Sequence, residues 1–305
     1  MLSVVIPVYN SEATIGRLVD ALAEAIRSEA LEIVLVNDGS ADNSYQICLD
    51  LTKKYPDTVR FLHLSRNFGE HNAVMAGLHH AKGDWVVIMD DDLQNAVSDV
   101  PALLEYAKTN THDVVFTHSD TVEQTWFRRL GSRFNDWMAT KLIRKPKNLY
   151  LSSFKIMNRF LVDEIIRYEG PFPYIDGLIL RTTNNIGAMK VTHQKRAVGR
   201  SGYTLRKLIR LYMNMFLNFS ITPLRVSSFL GFVLTILGFV YGLETFVEKF
   251  FNPEMPIGYP SAVILFILLT GMQLLMLGLV GEYLGSMFLG ANRTPQFIVR
   301  EKHGR

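Results

Sequence analysis

The chain has 305 residues, a formal net charge of +3 and a hydrophobic fraction of 48%. That length holds a sizeable soluble core plus a smaller unit, and so weak a charge sets nucleic acid aside as a partner. The positive mean hydropathy of +0.12 is high for a soluble enzyme. A single cysteine, Cys48, excludes an intramolecular disulfide framework and fits a reducing compartment. The start, Met1 to Pro7, has no basic stretch and meets a proline after a few apolar residues, so it does not read as a signal peptide.

From Leu2 to about His118, short apolar runs alternate with amphipathic segments. Strands are predicted at Leu2–Ile6, Ile33–Val36, Val59–Leu64, Trp85–Met89 and Val114–Phe116. Helices are predicted at Ala13–Arg27, Asn43–Tyr55, Gly69–Ala81 and Asp99–Lys108, with Gly83 as a C′ residue and Ser98 as an N-cap. Such alternation implies an α/β fold with a mostly parallel, Rossmann-like sheet covered on both faces. Ligands of such sheets bind beyond the carboxyl ends of the strands. Tyr9-Asn10, Asn37-Asp38-Gly39-Ser40, Ser65-Arg66-Asn67 and Asp90–Asp92 all fall at those ends. The last is the most informative, because adjacent ionised carboxylates repel one another. A divalent cation removes the conflict, and an oxygen-rich cluster suits Mg²⁺ or Mn²⁺. His63, His71, His79, His80 and His112 show no metal-ligand pairing and read as structural or solvated.

Pro7-Val-Tyr-Asn10, Val36-Asn-Asp-Gly-Ser40, Arg66-Asn-Phe-Gly69 and Asp90-Asp-Asp-Leu-Gln94 resemble the successive signatures of family 2 glycosyltransferases of the GT-A fold. Over nearly the whole chain the resemblance is to bacterial polyprenyl-phosphate glycosyltransferases. It implies that Pro7, Tyr9, Asn10, Asn37, Asp38, Arg66, Gly69 and Asp91 line the nucleotide-sugar site, with Gly69 admitting a close backbone approach. It further implies that Asp90, Asp92 and Gln94 hold the metal. Asn37 stands where the family usually has Asp, and Leu149 where it commonly has another Asp, a candidate base. Asp176 reads equally as a donor-sugar contact or a loop cap.

Gln124–Lys147 interleaves aromatic residues with Arg128, Arg129, Arg133, Lys141, Arg144 and Lys145, a membrane-surface pattern. Within it, Arg128 to Ser132 resembles the family's acceptor-phosphate element, to which Arg133 adds charge. Lys195 to Tyr203 resembles the family's mobile loop, so Arg196, Arg200 and Ser201 are implied to clamp the donor diphosphate; Gly202 replaces the usual Lys. Arg128 and Arg200 join Asp90 and Asp92 as the implied catalytic residues. Leu205 to Phe219 reads as an interfacial helix. Val226–Leu243 and Ser261–Gly281 are uncharged and near the length that crosses a bilayer. Phe250–Pro260 has no Lys or Arg, whereas Arg206, Lys207, Arg210, Arg225, Arg293, Arg300, Lys302 and Arg305 flank the pair. The positive-inside rule therefore places both flanks in the cytoplasm. A pair between Glu282 and Arg293 at the membrane surface is a further expectation.

The expected organisation is a GT-A domain at 1–195, a loop and interfacial helix at 196–224, two transmembrane helices at 225–285 and a cytoplasmic tail at 286–305. The expected activity is inverting transfer from a nucleotide sugar, a UDP-sugar, to polyprenyl phosphate at the bacterial inner membrane. The resemblance also implies a homo-oligomer, a tetramer. A processive polysaccharide synthase is disfavoured because its Gln-x-x-Arg-Trp motif is absent. A catalytically idle membrane adaptor is disfavoured because Asp90, Asp92 and Gln94 are all present.

Overall fold

A computed structural model describes residues 1–27, 30–118, 146, 149–191, 222–251, 258–292 and 294–304. The chain divides into two compact units, Met1–Thr204 with Arg293–Arg305, and Leu205–Asn292.

The first unit is built on an eight-stranded sheet. Its strands are β1 (Leu2–Val8), β2 (Leu31–Asn37), β3 (Val59–Leu64), β4 (Trp85–Ile88), β5 (Val114–His118), β6 (Lys155–Asn158), β7 (Ile186–Lys190) and β8 (Val299–His303). They lie in the order β7-β5-β6-β4-β1-β2-β3-β8. β1 pairs in parallel with β2 and β4, and β2 with β3, so all four point their carboxyl ends the same way. β6 runs antiparallel between β4 and β5, and β8 antiparallel against β3. The five strands read from sequence all form. β6, β7 and β8 lay outside that reading, and β8 shows why. Val-Arg-Glu-Lys-His has one apolar residue and no alternation, the composition of an exposed edge. The segment read as a tail thus closes one side of the sheet, with the Tyr45 hydroxyl donating to Glu301 at 2.6 Å.

Helices α1 (Ile15–Ala25), α2 (Ser44–Lys54), α3 (Glu70–His80) and α4 (Asp99–Thr109) follow the first four strands, and α5 (Arg159–Ile165) and α6 (Ile175–Thr182) follow β6. α1 buries Ile15, Leu18, Val19 and Leu22, the i, i+3, i+4, i+7 face of an amphipathic helix. Two end signals act differently from the expectation. α3 ends on extended Ala81 rather than on a left-handed glycine, and Gly83 is needed for space: a Cβ there would lie 2.6 Å from the Ser3 amide nitrogen. Ser98 precedes α4 but makes no side-chain cap. Its backbone is already helical (φ −59°, ψ −21°), whereas a capping residue is normally extended.

Pro7 sits in a central strand, where proline is normally excluded. Val5 accepts from Met89 on the β4 side, and a residue two further on faces that same side. The β1–β4 register ends at Val5 and Ile88, so the missing N–H of Pro7 falls beyond the last ladder bond.

The second unit contains α7 (Thr222–Phe251) and α8 (Tyr259–Ala291). Leu224–Glu244 and Leu269–Ala291 are long and apolar enough to cross a membrane, with mean hydropathies of 2.0 and 1.6 and no buried share. The two helices approach at Gly231, where a Cβ would lie 3.6 Å from Met276. Arg293, the suggested partner of Glu282, lies outside the described residues.

Candidate active site

Four loops meet beyond the carboxyl ends of β1 to β4. Loop β1–α1 carries exposed Tyr9 and Asn10, the latter with φ 56°, a left-handed conformation that Asn tolerates. Its anchor is Asp91, whose carboxylate accepts from the Tyr9 backbone N–H at 3.1 Å and from the Ser11 hydroxyl. Asp90 turns the other way and accepts from the Ser153 hydroxyl, in the segment leading into β6. Asp92 accepts from the Gln94 backbone N–H at 3.1 Å, across a turn in which Leu93 has φ 61°. The three aspartates, adjacent in sequence, therefore serve different neighbours. Asp91 braces a loop, while Asp90 binds the segment leading into β6 and Asp92 its own turn, with the Asp92 charge acting on Asp90.

Asn37 and Asp38 are placed differently from the expectation. Asn37 is 0% exposed and Asp38 3%, and the bonds of both run within the protein. Asn37 accepts from the Ser40 backbone N–H at 3.0 Å and hydroxyl at 2.6 Å. Asp38 accepts from the backbone N–H groups of Phe68 at 2.7 Å and Gly69 at 2.9 Å, tying the β2 end to loop β3–α3. What their short polar side chains hold is the turn, and the turn explains Gly39. At φ 66°, a Cβ would lie 2.7 Å from the Asn67 amide nitrogen. Gly39→Ala is expected to lower stability by about 1–3 kcal/mol, measured by thermal melting. Gly69 is required for its φ of 94° alone, since space around it is open. Arg66 is exposed, its guanidinium 4.8 Å from the Phe68 ring centroid.

On the far side of Asp90, Lys155 and Asp176 form a buried ion pair, with the Lys155 ammonium 5.0 Å from the Phe116 ring. Asp176 lies in the first turn of α6 with its carboxylate turned to Lys155. Leu149, buried and apolar, supplies no base. Burial holds His71, edge-on to Tyr174, down to about 4, so it is neutral. Arg128, Ser132, Arg133, Arg196, Arg200 and Ser201 lie outside the described residues.

The donor set suits a hard cation. No group of three His, Cys, Asp or Glu that could hold a metal occurs among the described residues. Asp90 and Asp92 with Gln94 would thus leave positions for donor phosphate oxygens and water, the habit of Mg²⁺. The electrostatics agree. Burial, with Glu70 and Asp92 nearby, pushes Asp90 up to about 6, against the Ser153 hydroxyl and Lys155. Burial likewise pushes Asp91 and Asp38 up to about 6. A carboxyl whose folded pKa is raised gives up stability as pH climbs from its unfolded value through the folded one. Here that window runs from 3.8 to about 6. Melting in chelator is therefore expected to fall across it. Mg²⁺ should recover the loss at roughly pH 7.5 and do little at roughly pH 5.

A mostly parallel sheet with a carboxylate cluster beyond its central strands defines a GT-A glycosyltransferase. The chain belongs to glycosyl transferase family 2, whose model matches residues 3–166, and a second model, GtrB C-terminal hairpin, matches residues 222–287. It is 31% identical over 308 residues to the undecaprenyl-phosphate 4-deoxy-4-formamido-L-arabinose transferase of Yersinia pestis (strain Pestoides F), covering 99% of this chain and 93% of that protein. The same figures hold for the protein of that name from Yersinia pseudotuberculosis serotype O:3 (strain YPIII). Among solved structures, glucosyl-3-phosphoglycerate synthase from Mycobacterium tuberculosis in complex with UDP is similar in fold. Its TM-score is 0.54 at 18% identity, over 71% of this chain and 78% of that one. The same enzyme with Mg²⁺ and UDP gives a TM-score of 0.51 at 18% identity, over 71% of this chain and 77% of that one.

Proposed function

We propose that this glycosyltransferase moves a sugar, with inversion, from a UDP-sugar to undecaprenyl phosphate or a similar polyprenyl phosphate at the cytoplasmic face of a bacterial inner membrane. The observation that carries the reading is the split of the aspartate triplet. Asp91 secures the loop that bears Tyr9, while Asp90 and Asp92, close enough for Asp92 to raise the pKa of Asp90, are tied to other neighbours at the same strand end. The names of the Yersinia relatives, matched over almost the full chain, support the acceptor. The solved enzyme crystallised with UDP and Mg²⁺ supports the donor class and the metal.

Tyr9, Asn10 and Arg66 are exposed at the crevice and would meet the nucleotide, Tyr9 and Arg66 offering a ring face and a cation. Asp90, Asp92 and Gln94 would hold Mg²⁺ or Mn²⁺, which when bound supplies charge neutralisation for the departing nucleoside diphosphate. Arg196, Arg200 and Ser201 would close on that diphosphate. Arg128, Ser132 and Arg133 would receive the acceptor phosphate. That phosphate is largely dianionic at neutral pH and attacks the anomeric carbon in line, so the apolar Leu149 costs the reaction no essential base. The oxygen–carbon bond forms as the carbon–diphosphate bond breaks, and UDP leaves with the electron pair.

Detergent-extracted protein incubated with a panel of radiolabelled nucleotide sugars should pass label from one UDP-sugar into solvent-extractable lipid, only with polyprenyl phosphate present. No labelled lipid from any donor would favour the idle adaptor. The membrane assignment has its own check. The absence of Lys and Arg from Phe250–Pro260 predicts that this connection faces outward. A cysteine introduced at Asn252 should react with an impermeant thiol reagent in intact cells, and one at Thr294 should not. The opposite labelling reverses the topology.

A further inference from the structure

The tautomer of one histidine follows from the atoms around Asn37. The Asn37 oxygen faces the Ser40 backbone N–H at 3.0 Å, and the Asn37 nitrogen lies 3.2 Å from His63 Nδ1. A backbone N–H can only donate, so the atom facing Ser40 must be oxygen and the side-chain amide cannot be reversed. Asn37 Nδ2 therefore offers a proton to His63, and Nδ1 must receive it with a lone pair. A neutral imidazole then carries its own proton on Nε2. Tyr45 of α2 packs edge-on against this ring at 4.8 Å. Glu301, Arg300 and His303, all on β8, are the charged and titratable groups facing it besides Tyr45.

The same bonds continue outward. Ser40 Oγ, which donates to Asn37, accepts from the Asn10 backbone N–H at 3.0 Å. Asn10 Oδ1 accepts in turn from the Ala41 N–H at 2.8 Å. The next residue back is Tyr9, whose N–H is held by Asp91. An unbroken chain of hydrogen bonds and one peptide link thus runs from His63 to the carboxylate cluster.

We propose that His63 is a positioning residue for the donor nucleotide: as the Nε2–H tautomer it fixes Asn37, and through Ser40 and Asn10 it fixes the loop that presents Tyr9. The inference rests on reading this crevice as the nucleotide site. It also explains why Asn suits position 37, since an Asp would set a carboxylate oxygen against the Nδ1 lone pair and force a proton between them.

The test uses full-length protein in detergent, labelled with ¹⁵N at its eight histidines. His63, assigned by its loss in His63→Asn, should show a lone-pair-bearing Nδ1 across neutral pH. In Asn37→Asp it should instead hold a proton on Nδ1 and stay charged to higher pH. UDP affinity should fall about ten-fold in His63→Leu, which strands the buried Asn37 N–H. It should stay within about three-fold of wild type in His63→Asn, which returns an acceptor oxygen near the Nδ1 position. The loss should appear in donor KM, with kcat little changed. A proton on Nδ1 in the wild type, or unaltered UDP affinity in a folded His63→Leu, overturns the proposal. If the leucine variant does not fold, the Asn37→Asp protein decides, and unchanged His63 titration there overturns it. A wild-type protein that binds no UDP would overturn the nucleotide reading instead, with the tautomer signal still judged separately.

Discussion

Asp92→Ala is expected to abolish sugar transfer while leaving the melting temperature in chelator unchanged or slightly raised. The argument separates the three carboxylates by what each holds. Asp92 is half-buried, and its carboxylate accepts from the Gln94 N–H within its own turn. Its removal loosens that turn. It also removes one negative charge from beside Asp90, whose pKa its presence raises, so the apo fold loses repulsion. Catalysis loses one of two carboxylates for the cation, and charge stabilisation of this kind is worth several kcal/mol of barrier. That corresponds to roughly 10²- to 10³-fold or more in rate. Asp91→Ala offers the contrast. It should reduce transfer and also loosen the fold, because it frees the Tyr9 amide and the Ser11 hydroxyl. Assays with and without Mg²⁺, paired with melting curves, check both. Full activity of Asp92→Ala in chelator would remove the metal assignment.

The second large effect concerns the acceptor. Arg128→Ala is expected to raise the apparent KM for polyprenyl phosphate about ten- to a hundred-fold, the loss of one charge-assisted contact. The polyprenyl tail cannot leave the bilayer, so its phosphate must be met where the catalytic domain reaches the membrane surface. Gln124–Arg144, basic and aromatic, is the segment before residue 196 whose composition suits that boundary. Arg128 and Ser132 are four residues apart, one turn on a helix, so they would offer a charged fork and a hydroxyl to one phosphate. Donor KM and hydrolysis of the donor by water should change little. A raised donor KM with unchanged acceptor KM would move Arg128 to the nucleotide side.

The sheet was legible where burial on both faces left continuous apolar runs, as in Leu-Ser-Val-Val-Ile and Trp-Val-Val-Ile. It was illegible where an edge strand reads as charge, as in β8, or where a short strand begins and ends in polar residues, as Lys155 and Asn158 bound β6. The site was legible as a set of strand ends, because polar residues after apolar runs have few other reasons to cluster. Roles within the set were not. Asn37 and Asp38 belong to a motif read as nucleotide contact, yet their burial and their bonds to Ser40, Phe68 and Gly69 make them supports of the surface that Tyr9 presents. Linear order cannot distinguish a side chain that points into a crevice from one that holds its wall. His63 is the sharper case. One alternate residue of a strand, it gives no signal until its ring is seen beside Asn37.

The most direct measurement of the central claim is the structure of the product. Lipid recovered after reaction with the active UDP-sugar should be a polyprenyl phosphate glycosylated on its phosphate oxygen. By NMR, its anomeric configuration should be opposite to that of the donor. A sugar carried with retained configuration, or attached to a hydroxyl or a growing saccharide, would contradict in-line transfer to a lipid phosphate at this site.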